Sequence, residues 1–142
     1  MKSFFSICIL GFASLGATSA IFAAQADAPT AAECASAATQ KMMNACAYED
    51  FLAANGSYAD TNKTIMGKLT GKPRELFRRS QKAWIAYTTA ACEFESSALA
   101  GGSAQGMVRW QCAARLTRQR VADLATSGNC KEGDLTCVRF KQ

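Results

Sequence analysis

Six cysteines follow an apolar N-terminal segment, and they limit this chain to a small fold held together by covalent cross-links. An even set of cysteines in a short exported chain is typical of a disulfide framework. The chain contains no histidine, the commonest general base and metal ligand. We therefore expect a binding or structural protein and no enzyme, with no catalytic residue, cofactor or metal. The disulfide candidates are Cys34, Cys46, Cys92, Cys112, Cys130 and Cys137.

The N-terminal segment has the three parts of a secretory signal peptide. Lys2 supplies the positive charge, residues 4–17 are apolar, and small residues follow. The apolar run is shorter than the ~20 residues that a membrane-spanning helix needs. We expect a signal peptide over residues 1–26, cut between 20 and 28. The expected product is soluble, periplasmic or secreted, and has no transmembrane segment.

Three stretches after the signal show helical periodicity. Apolar residues recur three and four apart over about 39–69, 73–99 and 103–125, and no period-two run is long enough for a sheet. Asn55-Gly56-Ser57 interrupts the first stretch, which is either one bent helix or two shorter ones. The sequence therefore predicts an all-α fold, a small antiparallel bundle of about three helices in one domain, stapled by disulfides.

The segments around these helices complete the predicted organisation. Gly71 and Gly101-Gly102 separate the helices, and Ser103 is a candidate N-cap. The helical domain covers residues 39–126. A flexible leader is expected over 27–38, and a short tail with a local Cys loop over 127–142.

Two pairings of the cysteines fit antiparallel helices. The preferred set is Cys46–Cys92, Cys34–Cys112 and Cys130–Cys137, since the turns bring residues 46, 92 and 112 to one level. The alternative contains Cys92–Cys112 and Cys34–Cys46. It requires residues 34–46 not to form one straight helix, because twelve helical residues span about 18 Å and a disulfide holds its Cα atoms within about 7 Å. Both pairings stay open at this point.

Aromatic and charged residues supply the candidates for contact with a partner. Trp84 and Tyr87 lie on the apolar stripe of the second helix and are expected in the core. Trp110 lies off the stripe of the third helix beside Arg109, and exposed Trp and Arg are enriched at interface hot spots. Basic residues at one end of an up-down-up bundle would form a positive pole. They include Arg78, Arg79, Arg115 and Arg118, together with Lys68, Lys72, Arg74, Lys82 and Arg120.

Short motifs run through all three helical stretches. They comprise Thr39-Gln40, Met43-Asn44, Cys46-Ala47, Asn62, Gln81, Trp84, Tyr87, Cys92, Gly101-Gly102-Ser103, Cys112, Leu116-Thr117, Arg120 and Leu124. Over roughly residues 34–125 this set resembles the LprI-like lysozyme-inhibitor domain, a family of small exported bacterial proteins. The chain departs from the family pattern at Thr88 and Thr89, where the family usually has a basic residue and then an acidic or amide residue.

The resemblance implies an exported helical protein that binds and blocks a lysozyme-type muramidase by covering its surface. Animal lysozymes are strongly basic, so a basic inhibitor needs a local acidic patch. The candidates for it are Glu93 and Glu95, Glu49 and Asp50, or Asp134. The alternative is an envelope-associated protein whose positive pole contacts anionic polymer or lipid, without inhibition. Nucleic acid is not expected as the partner of an exported protein.

Overall fold

The computed structural model describes residues 28–127, 131–135 and 138 of the 142-residue chain. No strand occurs in these ranges. The prediction of an all-α bundle of about three long helices stapled by disulfides is confirmed. The expected signal peptide and the expected Cys130–Cys137 loop lie outside the described residues. The helices are α1 (Ala31–Ala35), α2 (Gln40–Lys68), α3 (Gly71–Ser96), which runs into a 3-10 turn (Ser97–Leu99), and α4 (Gln105–Thr126).

α2 is one helix that continues through Gly56. The hydroxyl of Thr39 accepts a hydrogen bond from the N–H of Met42 at 3.2 Å and so caps the first turn. A glycine inside a helix costs about 1 kcal/mol relative to alanine. Ala54 and Tyr58, on either side of Gly56, are both buried. Tertiary packing on both sides of the glycine therefore offsets its low helix propensity.

Two glycines allow the chain to reverse direction between the long helices. Gly71 has φ 57° and Gly101 has φ 75°, in the left-handed region that a side chain disfavours. Ser103, predicted to cap α4, does not cap it, because the N–H of Gln105 bonds to the carbonyl of Gly102 and the helix starts later. The N-cap position falls on Ala104, which makes no side-chain cap.

Residues 31–35, inside the expected leader, form the short helix α1. The backbone N–H of Thr30 donates to the carboxylate of Glu33 at 2.8 Å, and the Thr30 hydroxyl accepts from the N–H of Glu33 at 3.3 Å. The backbone hydrogen bond, followed by one from the Thr30 hydroxyl, lowers the pKa of Glu33. The ionised carboxylate therefore stabilises this turn above its ordinary pKa, and the contribution is lost as pH falls through the lowered pKa.

The two described disulfides follow the alternative pairing. Cys34 bonds to Cys46 and Cys92 bonds to Cys112, and the Cα atoms of each pair are 5.5 Å apart. The preferred pairs Cys46–Cys92 and Cys34–Cys112 are therefore wrong. The physical reason is local, because the backbone leaves helical geometry between α1 and α2, so Cys34 folds back beside Cys46. The turn at the end of α3 then leaves Cys92 and Cys112 level with each other.

α4 is the central helix of the bundle. It runs parallel to α2 and makes its most extensive contact with it, while α3 packs antiparallel to α4 and touches α2 only sparsely. One apolar cluster joins Tyr58, Ile65, Leu69 and Leu124 near the C-terminal ends of α2 and α4. A second cluster surrounds the Cys92–Cys112 disulfide. Because α3 touches α2 so little, the bundle is open between them.

The buried face of α3 differs from its most apolar face. Gln81, Thr88, Cys92 and Ser96 are buried, whereas Tyr87 is 61% exposed. The expectation of Tyr87 in the core is therefore wrong, while Trp84 is half-buried and its ring centroid lies 4.8 Å from that of Tyr58. The disulfide at Cys92 turns that side of α3 toward α4, and Tyr87 lies about 140° away around the helix.

Candidate binding cleft

A cleft of about 200 Å³ lies between α2 and α3, with α4 as its floor. It is open to solvent because α3 packs against α4 and contacts α2 only sparsely. Its surface is mainly apolar, with a few hydroxyl, amide and guanidinium groups, which is the usual composition of a protein binding site. It is lined by Phe51, Asn55, Tyr58, Trp84, Ile85, Thr88, Thr89, Cys92, Arg109, Trp110, Ala113 and Thr117.

An aromatic cluster forms one end of the cleft. The ring of Trp110 stacks on Phe51, with centroids 5.1 Å apart and planes inclined by 26°, and lies 4.9 Å from Tyr48. The guanidinium carbon of Arg109 is 6.0 Å from the centroid of the Trp110 ring. Trp110 is half-buried, as its position off the apolar stripe indicated. The predicted pair Trp110 and Arg109 thus lies in an aromatic cluster at the surface of the protein.

Thr88 lines the cleft and carries a buried hydroxyl. Its Oγ1 is buried and unpaired within the described part of the chain, and the residue is only 9% exposed. A buried polar group left unpaired costs about 1–3 kcal/mol. The neighbouring Thr89 differs, since its hydroxyl donates to the carbonyl of Ile85 at 3.0 Å. The Thr88 hydroxyl thus lies beneath the surface of the cleft and is closed to solvent.

Three ion pairs connect α4 to the acidic residues named as partner candidates. Arg109 contacts Glu93 at 3.3 Å and Arg115 contacts Glu95 at 2.7 Å. Arg118 donates to both carboxylate oxygens of Asp50 on α2, and these hydrogen bonds raise the pKa of Arg118. All six side chains are substantially exposed, so each pair contributes only about 0–1 kcal/mol to stability. Glu93, Glu95 and Asp50 are thus neutralised locally by arginine.

Two of the basic residues that were expected to share one pole have acidic partners elsewhere. Arg115 reaches Glu95 at the C-terminal end of α3, about 20 Å along the helix from Lys82. Arg118 reaches the N-terminal half of α2. Arg78 and Arg79 are exposed on the N-terminal half of α3, and neither forms an ion pair with a described residue. Carboxylates of α2 and α3 thus neutralise Arg115 and Arg118, whereas Arg120 bonds to Gln81 beside Lys82.

Several residues of the family motif hold the helices together. Asn62 donates to the hydroxyl of Tyr58 at 3.2 Å, and that hydroxyl donates to Oε1 of Gln81 at 3.3 Å. Nε of Arg120 donates to the same oxygen at 3.2 Å. This chain of hydrogen bonds joins α2, α3 and α4, and we call it the polar network. Asn44 plays a similar part at the other end, where its amide donates to the carbonyl of Ser103 at 2.9 Å.

The fold and the cleft define a small all-α protein, cross-linked by disulfides, with a surface suited to binding. The family model described as lysozyme inhibitor LprI matches residues 31–124. The chain therefore belongs to the LprI lysozyme inhibitor family, which confirms the resemblance seen in the sequence. An uncharacterized protein of Rhizobium meliloti (strain 1021) is 30% identical over 105 residues, which are 65% of this chain and 76% of that protein. No solved structure matches the chain.

Sequence reasoning missed part of the cleft. Phe51 and Asn55 were not candidates, because a single sequence gives no signal that Phe51 of α2 packs on Trp110 of α4 beside an open groove. Thr88 carried one signal, since it and Thr89 replace the residues usual for the family. Both of these departures lie in the cleft wall.

Among the residues that the structure describes, no helix is both long enough and apolar enough to cross a membrane.

Proposed function

We propose that this protein binds a lysozyme-type muramidase and blocks it by occluding the surface where the enzyme receives its polysaccharide substrate. Membership of the LprI family supports inhibition as the class of activity. The observation that carries the proposal is the aromatic cluster of Trp110, Phe51 and Tyr48 at one end of the mainly apolar cleft. A protruding side chain or loop of the enzyme would enter the cleft and stack against Trp110. Occlusion of this kind requires no catalytic group.

The charges at the edge of the cleft are compatible with a basic enzyme. Glu93 and Arg109 form an exposed pair at 3.3 Å, and such pairs exchange partners at a cost of about 0–1 kcal/mol. A lysine or arginine of the enzyme would therefore replace Arg109 beside Glu93. The local acidic contact that a basic inhibitor needs would form on binding, and Arg109 would be left to stack on Trp110.

Contact with an anionic polymer or lipid is not favoured as the function. This alternative depended on a single positive pole formed by basic residues of α3 and α4. Arg115 and Arg118 instead pair with Glu95 of α3 and Asp50 of α2. The two functions differ in their response to salt. Polyanion binding through many cations weakens steeply as salt rises, whereas an interface built around Trp110 weakens less.

The first test is inhibition of a panel of lysozymes of different types by the oxidised protein without residues 1–26. We expect saturable inhibition that disappears when the disulfides are reduced and alkylated. The reduced sample controls for non-specific effects of a basic protein, because its sequence and charge are nearly unchanged. Absence of inhibition at many-fold molar excess across the whole panel would contradict the proposed function.

Trp110→Ala is expected to raise the inhibition constant about tenfold or more, since truncation of a central interface tryptophan removes a large contact area. Trp110→Phe keeps the contact with Phe51 and should lose less. Leu52→Ala is the control, because Leu52 is an exposed apolar residue of α2 that does not line the cleft. Equal losses for Trp110→Ala and Leu52→Ala would show that the aromatic cluster is not the contact surface.

Thr88→Val is expected to make the protein more stable. Removing a buried hydroxyl that has no partner among the described residues should raise the free energy of unfolding by about 1 kcal/mol. Thr89→Val is the matched control and should not gain this stability, since the Thr89 hydroxyl donates to the carbonyl of Ile85. Urea unfolding of the two variants measures the difference. A Thr88→Val variant no more stable than the parent would contradict the cost assigned to this hydroxyl.

A further inference from the structure

A second pocket, of about 430 Å³, lies where the C-terminal ends of α2 and α4 meet the N-terminal end of α3. We call it the end pocket. It shares no lining residue with the binding cleft. Its volume falls within the range of about 300–1,000 Å³ that is usual for small-molecule sites. Large apolar side chains form most of its wall, among them Ile65, Leu69, Leu76, Phe77 and Leu124.

The end pocket offers a ligand very few polar groups. The hydroxyl of Ser80 lines it but already donates to the carbonyl of Phe77 at 2.8 Å. The hydroxyl of Ser127 donates in the same way to the carbonyl of Asp123 at 2.9 Å. Among the described residues that line the pocket, Arg120 alone is charged. A ligand that enters would therefore meet apolar side chains and one cation.

Arg120 has hydrogen-bonding capacity that the described residues leave unused. It is half-buried, and its Nε donates to Oε1 of Gln81 at 3.2 Å. Its two Nη atoms make no hydrogen bond or ion pair with a described residue. Arg115 and Arg118 of the same helix differ, because each pairs with a carboxylate. The free edge of the Arg120 guanidinium matches the two oxygens of a carboxylate.

We propose that the end pocket binds a fatty acid, a single alkyl chain that ends in a carboxylate. The chain would lie against the apolar wall, and the carboxylate would accept hydrogen bonds from the Nη atoms of Arg120. One guanidinium balances the single negative charge of one carboxylate. This binding differs from contact with an anionic surface, because one molecule enters a pocket and no positive pole is needed. It also does not depend on the proposed inhibition of lysozyme.

Isothermal titration calorimetry of the oxidised protein without residues 1–26 tests the proposal, with decanoate and dodecanoate below their micelle concentrations as the ligands. We expect one molecule bound per chain. Dodecanoate is longer by two methylenes and should bind about fifteenfold more tightly, since each methylene that leaves water strengthens binding roughly fourfold. A parent protein that binds neither acid at the highest monomeric concentration overturns the proposal.

Arg120→Met tests the role of the cation. It should weaken the binding of decanoate about tenfold and leave the binding of decanol, which has the same chain and no charge, unchanged. Arg118→Met is the matched control, because it removes the same charge from the same helix at a residue that does not line the end pocket. Circular dichroism checks that both variants are helical. Equal losses in the two variants would mean that binding follows net charge, which overturns the proposal.

Ser80→Phe tests the location of the site. It places a large side chain against the pocket from an exposed position and should abolish the binding of dodecanoate. Ser57→Phe is the control, since Ser57 is an exposed serine of α2 that does not line the pocket. Dodecanoate that still binds to Ser80→Phe uses another site and overturns the proposal. So does binding to Phe140→Ala but not to the parent, because the end of the chain would then be the occupant.

Discussion

Removing the Cys92–Cys112 disulfide by replacing both cysteines with alanine is expected to lower the free energy of unfolding by about 3 kcal/mol. The bond closes a loop with a sequence separation of 20, and the loss of chain entropy in the unfolded state accounts for a value of this size. Both residues are almost fully buried, in a cluster that Phe51 and Trp110 pack against. The disulfide therefore also fixes α3 relative to the cleft, and inhibition should fall with stability.

Urea unfolding of the double variant, followed by circular dichroism, measures this effect. The double replacement of Cys34 and Cys46 is the control. That bond has a sequence separation of 12 and holds the short helix α1, which has no buried residue. It should release α1 locally, with a smaller loss in global stability and with inhibition retained. If both double variants lose the same stability and the same inhibition, the Cys92–Cys112 bond has no special part in shaping the cleft.

The helices could be predicted from the sequence, and the rotation of α3 could not. Glycines at positions 71 and 101 marked the turns, and both adopt the positive φ that glycine allows. The apolar periodicity of α3 pointed toward Tyr87 and Phe94, yet α3 buries Gln81 and Thr88 instead. The pattern of apolar residues in the sequence shows which side of α3 is apolar. The Cys92–Cys112 disulfide and the polar network determine which side of α3 meets α4.

The binding cleft depends on tertiary structure more strongly than the helices do. Trp110 and Arg109 could be selected as candidates because Trp and Arg contribute strongly to interfaces and lie off the apolar stripe. Phe51 lies on a predicted apolar stripe, and only its contact with Trp110 gives it a place in the site. The pairing of Glu93 with Arg109 could not be predicted from the sequence either, because it depends on how α3 crosses α4.

Gln81→Leu is expected to lower the free energy of unfolding by about 2–3 kcal/mol. Oε1 of Gln81 accepts hydrogen bonds from the hydroxyl of Tyr58 and from Nε of Arg120, and the residue is only 5% exposed. Leucine has a similar volume, so packing changes little while both donors lose their acceptor. The loss is large because one of these donors is a half-buried cation, and unpaired buried groups cost more when they are charged.

The double variant Gln81→Leu with Arg120→Met shows whether the loss comes from the unpaired cation. It removes the cation together with its acceptor, and Tyr58 keeps its bond from Asn62, so most of the stability should return. Thermal or urea unfolding of the two single variants and the double variant gives the coupling free energy between the two positions. Strictly additive losses would mean that Arg120 and Gln81 act independently. Recovery in the double variant would mean that these two family-motif residues serve to align the three helices.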